Sequence, residues 1–280
     1  MELRPFGRTS ARVPVLGQGT WRFEHDDRKE AIAALRRGVE LGLSHVDTAE
    51  MYGSGKVEEL VGEALAGLRE QVFLATKVLP QHASYEGTIA ACEKSLRRLR
   101  TDHVDLYLLH WPGDHPLAET FRAFEELRRD GKALHTGVSN FDAAELADAV
   151  ALAGPGNVAC DQVLYHLGER HVEAKLQALC ARDGVSLVAY SPFGSGDFPS
   201  PSSKGGKLLG ELARAHGATP RQIALAFLTR APGTFAIPKA STRAHVEENA
   251  LAAKVSLTDG DVAKIDAAFP LRLRSSLPMI

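Results

Sequence analysis

The 280-residue chain lacks any apolar run that could cross a bilayer, because no window approaches the roughly 20 apolar residues that a spanning helix needs. The N-terminal residues Met1 to Phe6 contain no apolar signal core. Cysteine is scarce as well. The three thiols, Cys92, Cys160 and Cys180, lie far apart, and their odd number leaves at least one unpaired, which favours a reducing compartment. These absences predict a cytoplasmic protein.

An excess of charge of either sign is also missing. The formal net charge is −2, with 24% charged and 44% hydrophobic residues. This balance provides no field for holding nucleic acid or an anionic membrane, so the basic segment Arg97 to Arg100 is interpreted as a solvated helix end. The eleven histidines form no HExxH motif and no close cluster with cysteine, which argues against a catalytic metal. What the composition does supply is enough apolar material for a sizeable core.

Short apolar segments alternate with amphipathic segments of helical length along the chain. Strands are predicted at 14–21, 44–46, 72–75, 104–109, 134–138, 158–162, 186–189 and 234–237. Helices are predicted at 28–41, 56–70, 85–99, 117–130, 142–151, 171–182 and 220–231. Eight repeated βα units in a chain of this length predict an α/β fold, a closed (β/α)₈ TIM barrel. Because no linker divides the repeats, residues 1–280 are expected to form a single domain.

Four segments stand outside the repeat. Gly7 to Ser10 has turn composition between two short segments, which predicts an N-terminal hairpin at one end of the barrel. Residues 193–206 are rich in Gly, Ser and Pro and predict a long loop after the seventh strand, placed to fold over a ligand. A helix is expected around Asp259 to Phe269. The segment Pro270 to Ile280 that follows it predicts only a short lid over the site.

Polar side chains follow the ends of three predicted strands. They are Asp47, Tyr52, Lys77 and His110. Because function collects on the loops after the C-terminal ends of barrel strands, we expect these four residues to meet. Each alone has an ordinary structural explanation, such as a helix cap or a core histidine. Together they predict catalysis, since a phenol with a pKa of about 10 needs a neighbouring cation and hydrogen-bond donors to act as an acid near neutrality.

These residues resemble the catalytic tetrad of the aldo-keto reductase family, and the resemblance is strongest to bacterial methylglyoxal and small-aldehyde reductases. The motifs that carry it lie at 17–21 (GQGTW), 47–52 (DTAEMY), 106–111 (LYLLHW) and 162–168 (QVLYHLG). The resemblance implies NADPH-dependent reduction of aldehydes and reactive dicarbonyls to alcohols. It makes Tyr52 the general acid, Lys77 the group that lowers the phenol's pKa, and His110 the group that orients the carbonyl. The implied substrate-binding residues are Trp21, Tyr52, His110 and Trp111.

The resemblance also implies a site for the cofactor, NADPH or NADP+. The expected cofactor-binding residues are Gly19, Thr20, Asp47, Ser139, Asn140, Gln162, Tyr190, Ser191, Pro192, Phe193, Ser195, Lys239, Ser241, Thr242, Arg243, Glu248 and Asn249. Ser139, Asn140 and Gln162 would hold the nicotinamide carboxamide, because they offer both donors and acceptors to an amide, and Tyr190 would stack on the ring.

At the other end of the cofactor, the resemblance places Lys239 and its neighbours up to Arg243 at the 2′-phosphate, and Glu248 and Asn249 beside adenine. The start of a helix there favours anions. One position departs from the pattern, since His245 stands where many family members carry arginine. This difference predicts a moderate preference for NADPH.

Two alternatives stay open at this point. Potassium-channel β-subunits resemble the same family and bind the same cofactor, so the chain could act as a nicotinamide-sensing subunit. A sugar-phosphate isomerase barrel would instead use a base such as glutamate and no nicotinamide. The expected partner is a small carbonyl substrate, with no nucleic acid and no membrane, and the expected state is a monomer.

Overall fold

The computed structural model describes residues 1–280. The strands are β1 Leu3–Pro5, β2 Arg12–Pro14, β3 Gln18–Gly19, β4 His45–Asp47, β5 Phe73–Val78, β6 Val104–Leu109, β7 Ala133–Ser139, β8 Cys160–Leu164, β9 Ser186–Tyr190 and β10 Thr234–Ala236. The helices are α1 Arg28–Glu40, α2 Lys56–Ala64, α3 Tyr85–Leu99, α4 Leu117–Arg129, α5 Ala143–Ala153, α6 Leu176–Asp183, α7 Lys204–Ala215, α8 Pro220–Leu228, α9 Arg243–Leu251 and α10 Asp259–Ala268. None of these helices combines the length and the apolar character needed to cross a membrane.

Eight parallel strands, β3 to β10, lie side by side in chain order. The last strand returns to the first, because the Gly17 amide donates to the Ala236 carbonyl at 2.8 Å and the Ala236 amide donates to the Val15 carbonyl at 3.0 Å. Parallel bridges pair Leu16 with Ala236 and Gly19 with Lys239. The sheet therefore closes on itself, and the predicted (β/α)₈ barrel is confirmed.

The N-terminal hairpin closes one end of the barrel. Strands β1 and β2 pair in antiparallel register, with Arg4 opposite Val13. Phe6 follows β1 and is fully buried. Its ring centroid lies 5.1 Å from those of Phe73 and Phe235 and 6.1 Å from that of His45. Since His45 and Phe73 are the first residues of their strands, this aromatic cluster fills the end opposite the strands' carboxyl termini.

Local capping signals set several helix starts. At α5, the Asp142 side chain accepts from the Glu145 amide while the Glu145 side chain accepts from the Asp142 amide. Helix α8 begins in the same way, with Thr219 and Gln222 as the reciprocal pair and Pro220 in the first turn. Both helices begin within one residue of the predicted position. The N-terminal side chains thus specify where each helix packs back onto the barrel.

Several predicted bounds are wrong. The first strand is regular only at Gln18–Gly19, and Pro14 belongs to the hairpin instead. Helix α2 ends at Ala64 rather than residue 70, and Gly67 follows with a φ of 77° that a helix does not accommodate. Residues 171–175 precede α6 as a short 3₁₀ turn and connection, so that α-helix begins only at Leu176.

Helix α7 is absent from the sequence prediction, which extends the loop to residue 206. Two glycines follow directly on its first residue and lower its helical propensity. The helix forms because the Ser203 side chain accepts from the Gly206 amide at 3.0 Å. A Cβ on Gly206 would lie 1.9 Å from the Ser200 carbonyl oxygen, so close packing requires glycine there. The loop after β9 is therefore shorter than predicted.

Candidate active site

A cavity of about 330 Å³ opens at the carboxyl ends of the barrel strands. It is lined by Gly19, Thr20, Trp21, Asp47, Met51, Tyr52, His110, Trp111, Ser139, Asn140, Gln162, Tyr190, Ser191, Ile237, Lys239, Met279 and Ile280. All four tetrad candidates belong to the site, because Lys77 lies directly behind the wall against Asp47 and Tyr52. The structure thus brings together side chains that the sequence places on three separate strand ends.

Lys77 lies fully buried behind the cavity wall. Its Nζ donates to Asp47 Oδ1 at 2.6 Å, to the Thr48 carbonyl at 2.9 Å and to Tyr52 Oη at 3.3 Å. Burial opposes the charge, but the neighbouring Asp47 carboxylate and the Tyr52 phenol outweigh it and raise the pKa of Lys77 above its ordinary value. Lys77 is therefore a fixed cation directed at the phenol.

The Tyr52 phenol accepts one hydrogen bond and keeps its own hydrogen free. An ammonium has three hydrogens, and those of Lys77 point at three different oxygens, one of them Tyr52 Oη. Burial raises the pKa of Tyr52, and the Lys77 charge offsets only part of this rise. Lys77 thus lowers the pKa of the phenol, as expected, but the net shift of that pKa is upward. The phenol is protonated at neutral pH and faces the cavity as a donor.

His110 lies beside the phenol in its neutral form. Its ring centroid is 5.9 Å from that of Tyr52, with the planes at 72°, and 4.8 Å from that of Trp111. Burial, with a smaller contribution from the Lys77 charge, lowers the pKa of His110 well below its ordinary range. The Asn140 amide holds the backbone at this point by donating to the His110 carbonyl at 3.0 Å. A neutral imidazole in this position can donate one hydrogen bond to a ligand.

A hydrogen-bonded pair, Glu50 and His82, ties the Tyr52 loop to the loop after β5. Glu50 Oε1 accepts from the Leu79 amide at 2.7 Å and lies 2.9 Å from His82 Nδ1. Glu50 is nearly buried and stands two residues before Tyr52, whereas Leu79 stands two residues after Lys77. The pair therefore fixes the phenol relative to the ammonium. Glu50 was not among the predicted site residues, although it lies inside the motif that drew attention to this loop.

The candidate nicotinamide residues form a connected hydrogen-bond network. Ser139 Oγ donates to the Gln162 carbonyl at 2.7 Å, and Gln162 Nε2 donates to Asp47 Oδ2 at 2.8 Å. Tyr190 Oη donates to Asn140 Oδ1 at 2.9 Å. Both oxygens of Asp47 are thus engaged, one by Lys77 and one by Gln162. The network holds four amide and hydroxyl side chains at the cavity with their orientations fixed before a ligand arrives.

Three of the six non-glycine residues with positive φ lie in or just beyond this network. Asn140, Ser191 and Ser195 have φ values of 61°, 46° and 51°, in the left-handed region that non-glycine residues seldom adopt. Such residues cost about 1–3 kcal/mol each and cluster at ligand sites. All three belong to the predicted cofactor set. The strain supports a binding role for this segment, and its residue types fit a nucleotide cofactor.

Lys239 lies at the cavity wall and is paired with a carboxylate that the sequence analysis did not consider. Its Nζ is 2.5 Å from Asp26 Oδ2, and the pair joins the connection after β10 to the turn after β3. The side chain of Lys239 is 37% exposed, so solvent screens this pair and weakens it. Any phosphate that binds Lys239 must share it with Asp26.

The remaining predicted cofactor residues lie outside this cavity. Thr242 caps α9, and its side chain accepts from the His245 amide at 3.4 Å. Glu248 lines a separate cavity, and the next residue in the chain, Asn249, is buried. The other members of the set that do not line the first cavity are Pro192, Phe193, Ser195, Ser241 and Arg243.

Four lining residues were not predicted: Met51, Ile237, Met279 and Ile280. Met51 and Ile237 lie inside or close to segments that the sequence already assigns to the site, so their neighbours could have indicated them. The last two belong to a tail without periodicity, and no sequence signal marks them. The tail is held by Arg274, which donates to Glu169 Oε2 at 2.5 Å. The predicted short lid thus reaches the cavity and forms part of its wall.

Comparison with known proteins agrees with this geometry. A model of the Aldo/keto reductase family matches residues 15–269. The chain belongs to the aldo/keto reductase family. The enzyme is 45% identical over 260 residues to the methylglyoxal reductase YeaE of Escherichia coli (strain K12), with 92% of each chain covered. It is 34% identical over 258 residues to the glyoxal reductase of Bacillus subtilis (strain 168), covering 91% of this chain and 88% of that protein.

Solved structures of relatives extend the likeness to three dimensions. An aldo/keto reductase from Klebsiella pneumoniae in complex with NADP and acetate superposes with a TM-score of 0.92 at 41% identity, covering 99% of both chains. An aldo-keto reductase from the same organism in complex with NADPH gives a TM-score of 0.93 at 41% identity, covering 100% of this chain and 99% of that one. The whole barrel and its surrounding helices therefore match.

Proposed function

We propose that this enzyme reduces aldehydes and reactive dicarbonyls of the methylglyoxal type to alcohols with NADPH. The observation that carries the proposal is the buried Lys77, whose three hydrogens engage Asp47, Thr48 and the Tyr52 phenol beside a neutral His110. Such an arrangement presents one phenolic proton to the cavity, and the carboxylate that lines it, Asp47, is engaged by Lys77 and Gln162 instead of serving as the base that an isomerase needs. The similar reductases and the NADPH-bound relative support the same chemistry.

The residues around the cavity fit a nicotinamide cofactor. When bound, NADPH supplies the hydride that adds to the carbonyl carbon. Ser139, Asn140 and Gln162 would hold the carboxamide, because they are already oriented by one another and by Asp47. Tyr190 would lie against the ring, with its hydroxyl fixed on Asn140.

We assign the proton transfer to Tyr52. As the carbonyl carbon is reduced, its oxygen gains negative charge, and the phenol's free hydrogen moves to it. The tyrosinate left behind stays next to the Lys77 ammonium, whose charge stabilises it strongly because both side chains are buried. Lys77 thus acts mainly after the proton has begun to leave. In the resting protein, burial keeps the phenol protonated.

We assign the orientation of the carbonyl to His110. A neutral imidazole can donate a hydrogen bond to the carbonyl oxygen, but its remaining proton is held far more tightly than that of a phenol. Trp21 and Trp111 would wall the substrate, together with Met279 and Ile280 from the tail. A cavity of about 330 Å³ bounded in this way suits small carbonyl compounds better than steroid ketones.

We further infer a cytoplasmic monomer that forms one domain over residues 1–280. Three cysteines, all free and buried, suit a reducing compartment. A single barrel accounts for every strand outside the N-terminal hairpin. Sedimentation of the purified protein would test the monomer.

A carbonyl panel with NADPH tests the proposed function. Purified protein is mixed with NADPH and with methylglyoxal, phenylglyoxal, nitrobenzaldehyde or a steroid ketone, and cofactor oxidation is followed by absorbance. We expect higher kcat/KM for the small carbonyls, since a bulky ketone gains about 0.8 kcal/mol for each methylene it buries and this cavity buries few. A steroid ketone that outperforms every small carbonyl would overturn the substrate class. No oxidation of NADPH with any of them, despite cofactor binding, would favour a sensing subunit.

A further inference from the structure

A second cavity of about 620 Å³ lies beyond the loop that follows β9. It is bounded by that loop, by α7, by the start of α8 and by Glu248 of α9. It shares no lining residue with the first cavity. One loop nevertheless connects the two, because Ser191 lines the first and Gly196, five residues later, lines the second. An extended ligand could therefore lie along this loop with one end in each cavity.

The second cavity carries an excess of positive charge. Three cations line it, Lys207, Arg214 and Arg221, against a single carboxylate, that of Glu248. None of the three cations makes a hydrogen bond or ion pair through its side chain. Cations without partners around a cavity favour an anionic ligand. This charge pattern suits the phosphorylated end of a nucleotide.

Arg221 is held by aromatic rings rather than by a carboxylate. Its guanidinium carbon lies 5.6 Å from the ring centroid of Phe193 and 5.4 Å from that of Phe198. The two rings brace one another edge to face, with centroids 5.8 Å apart. Guanidinium groups stack on flat aromatic surfaces, so one braced in this way is prepared to receive a planar base. Phe193, which the sequence analysis assigned to the cofactor itself, acts here on Arg221.

Glu248 stands on another wall with its orientation fixed. Its Oε1 accepts from the Thr219 hydroxyl at 2.7 Å, and its backbone carbonyl accepts from Gln222 Nε2 at 2.8 Å. The second carboxylate oxygen remains for an amine donor, such as the exocyclic amine of adenine. His245, at the position where an arginine was expected, is exposed and does not line the cavity.

The resemblance already places adenine beside Glu248, on one wall of this cavity. We propose that Arg221, braced by Phe193 and Phe198, stacks on that adenine. Arg221 thereby supplies from α8 the guanidinium that His245 does not supply from α9. The inference rests on the proposed use of NADPH, because it requires a dinucleotide whose nicotinamide end occupies the first cavity.

Calorimetric titration of the protein with 2′,5′-ADP and with 5′-ADP tests this proposal without turnover. The variant Arg221→Leu keeps an apolar cover over Phe198 but removes the guanidinium. We expect it to weaken both nucleotides by about tenfold, since stacking does not depend on the 2′-phosphate. The matched control is Arg122→Leu, whose guanidinium carbon lies 3.9 Å from the ring centroid of Tyr85 in a different part of the fold. The control is expected to stay within twofold of wild type.

Two results would overturn the stacking role. One is Arg221→Leu binding both nucleotides within twofold of wild type, and the other is a loss confined to 2′,5′-ADP, which would make Arg221 a phosphate ligand. An unchanged thermal unfolding midpoint for Arg221→Leu shows that a loss of affinity is not a loss of fold. If the wild-type protein binds neither nucleotide, the proposed cofactor is wrong as well, whereas wild-type binding without a variant effect contradicts Arg221 alone.

Discussion

The two ends of the barrel each contain a buried histidine, and the environments of these histidines differ sharply. At the end where the strands begin, here called the lower end, His45 packs against Phe6 and Phe73. Neither of its ring nitrogens has a hydrogen-bond partner. At the opposite end, where the strands terminate and which is here called the upper end, His110 packs against Tyr52 and faces a cavity lined by polar groups. Burial lowers the pKa of both side chains. The same titration behaviour thus accompanies packing at one end and a ligand site at the other.

Strand β4 passes from one environment to the other in three residues. It begins with His45 in the aromatic cluster and ends with Asp47, whose two carboxylate oxygens bind Lys77 and Gln162. A buried ionisable group therefore indicates a catalytic site only when it lies with others at the carboxyl ends of the strands. Substitutions at the two ends should therefore have different effects on activity and on stability.

The largest effect is expected from Lys77→Met at the upper end. Removing the ammonium leaves the buried Asp47 carboxylate without its cation, which costs about 3–5 kcal/mol of unfolding free energy. Reduction should slow by at least about 10²-fold, because the proton transfer from Tyr52 loses its stabilising charge. Urea unfolding and steady-state kinetics measure the two effects. Lys132→Met removes a half-exposed pair with Glu93 and should cost less than about 1 kcal/mol.

A double variant separates stability from catalysis at the same site. Lys77→Met combined with Asp47→Asn removes both charges, so part of the lost stability should return while the activity does not. Activity that recovers along with stability would mean that the ion pair serves the fold alone. The buried ionisable groups of the upper end would then serve packing, as His45 does at the lower end.

At the lower end, His45→Leu is expected to change pH dependence and not activity. Burial lowers the pKa of His45 to about 4, whereas in the unfolded chain the imidazole has its ordinary pKa of about 6.5. Between these values the unfolded state binds more protons, so the wild type loses stability as the pH falls. The leucine variant should lose about 2 kcal/mol less unfolding free energy between pH 7 and pH 5.

Urea titrations at the two pH values measure this difference, and kcat at pH 7 should match wild type. His25→Leu changes an exposed histidine and serves as the control. An equal pH dependence in His45→Leu and wild type would show that His45 has the same pKa in the folded and the unfolded protein. A large loss of kcat would show that the lower end takes part in catalysis.

The smallest effect concerns the charge at the edge of the upper site. Lys239→Ala should weaken NADPH about tenfold more than NADH, if its ammonium contacts the 2′-phosphate. Asp26→Asn should do the reverse and tighten NADPH by up to about threefold, because it releases a solvent-screened competitor for Lys239. Fluorescence titration with both cofactors measures these changes. Equal effects on NADPH and NADH would show that Lys239 does not contact the phosphate.

The sequence predicts the upper end better than the regions around it. Asp47, Tyr52, Lys77 and His110 come together because each lies at or shortly after the carboxyl end of a strand, and the carboxyl ends of parallel strands lie at the same end of a barrel. The short apolar run before each residue was therefore enough to predict that the four side chains meet. The same reasoning recovers the hairpin and the order of the strands.

What the sequence does not predict depends on contacts that no periodic pattern reveals. Helix α7 has two glycines after its first residue, and it forms through the Ser203 cap and the close fit of Gly206 against Ser200. Asp26 meets Lys239 across 213 positions of the chain, and no local pattern links them. Burial also decides the sign of the Tyr52 pKa shift, and a count of neighbouring charges does not reveal burial.

The most direct test of the account is the activity of Tyr52→Phe beside that of Tyr107→Phe. Both substitutions remove a buried phenolic hydroxyl, but Tyr107 lies in β6 with no partner for its Oη, whereas Tyr52 Oη meets Lys77 at the cavity. Single-turnover reduction of methylglyoxal by NADPH-loaded protein should slow by at least about 10²-fold in Tyr52→Phe, with NADPH affinity within about threefold of wild type. Tyr107→Phe should react at the wild-type rate. A Tyr52→Phe variant that also reacts near the wild-type rate would contradict the assignment of this phenol as the proton donor.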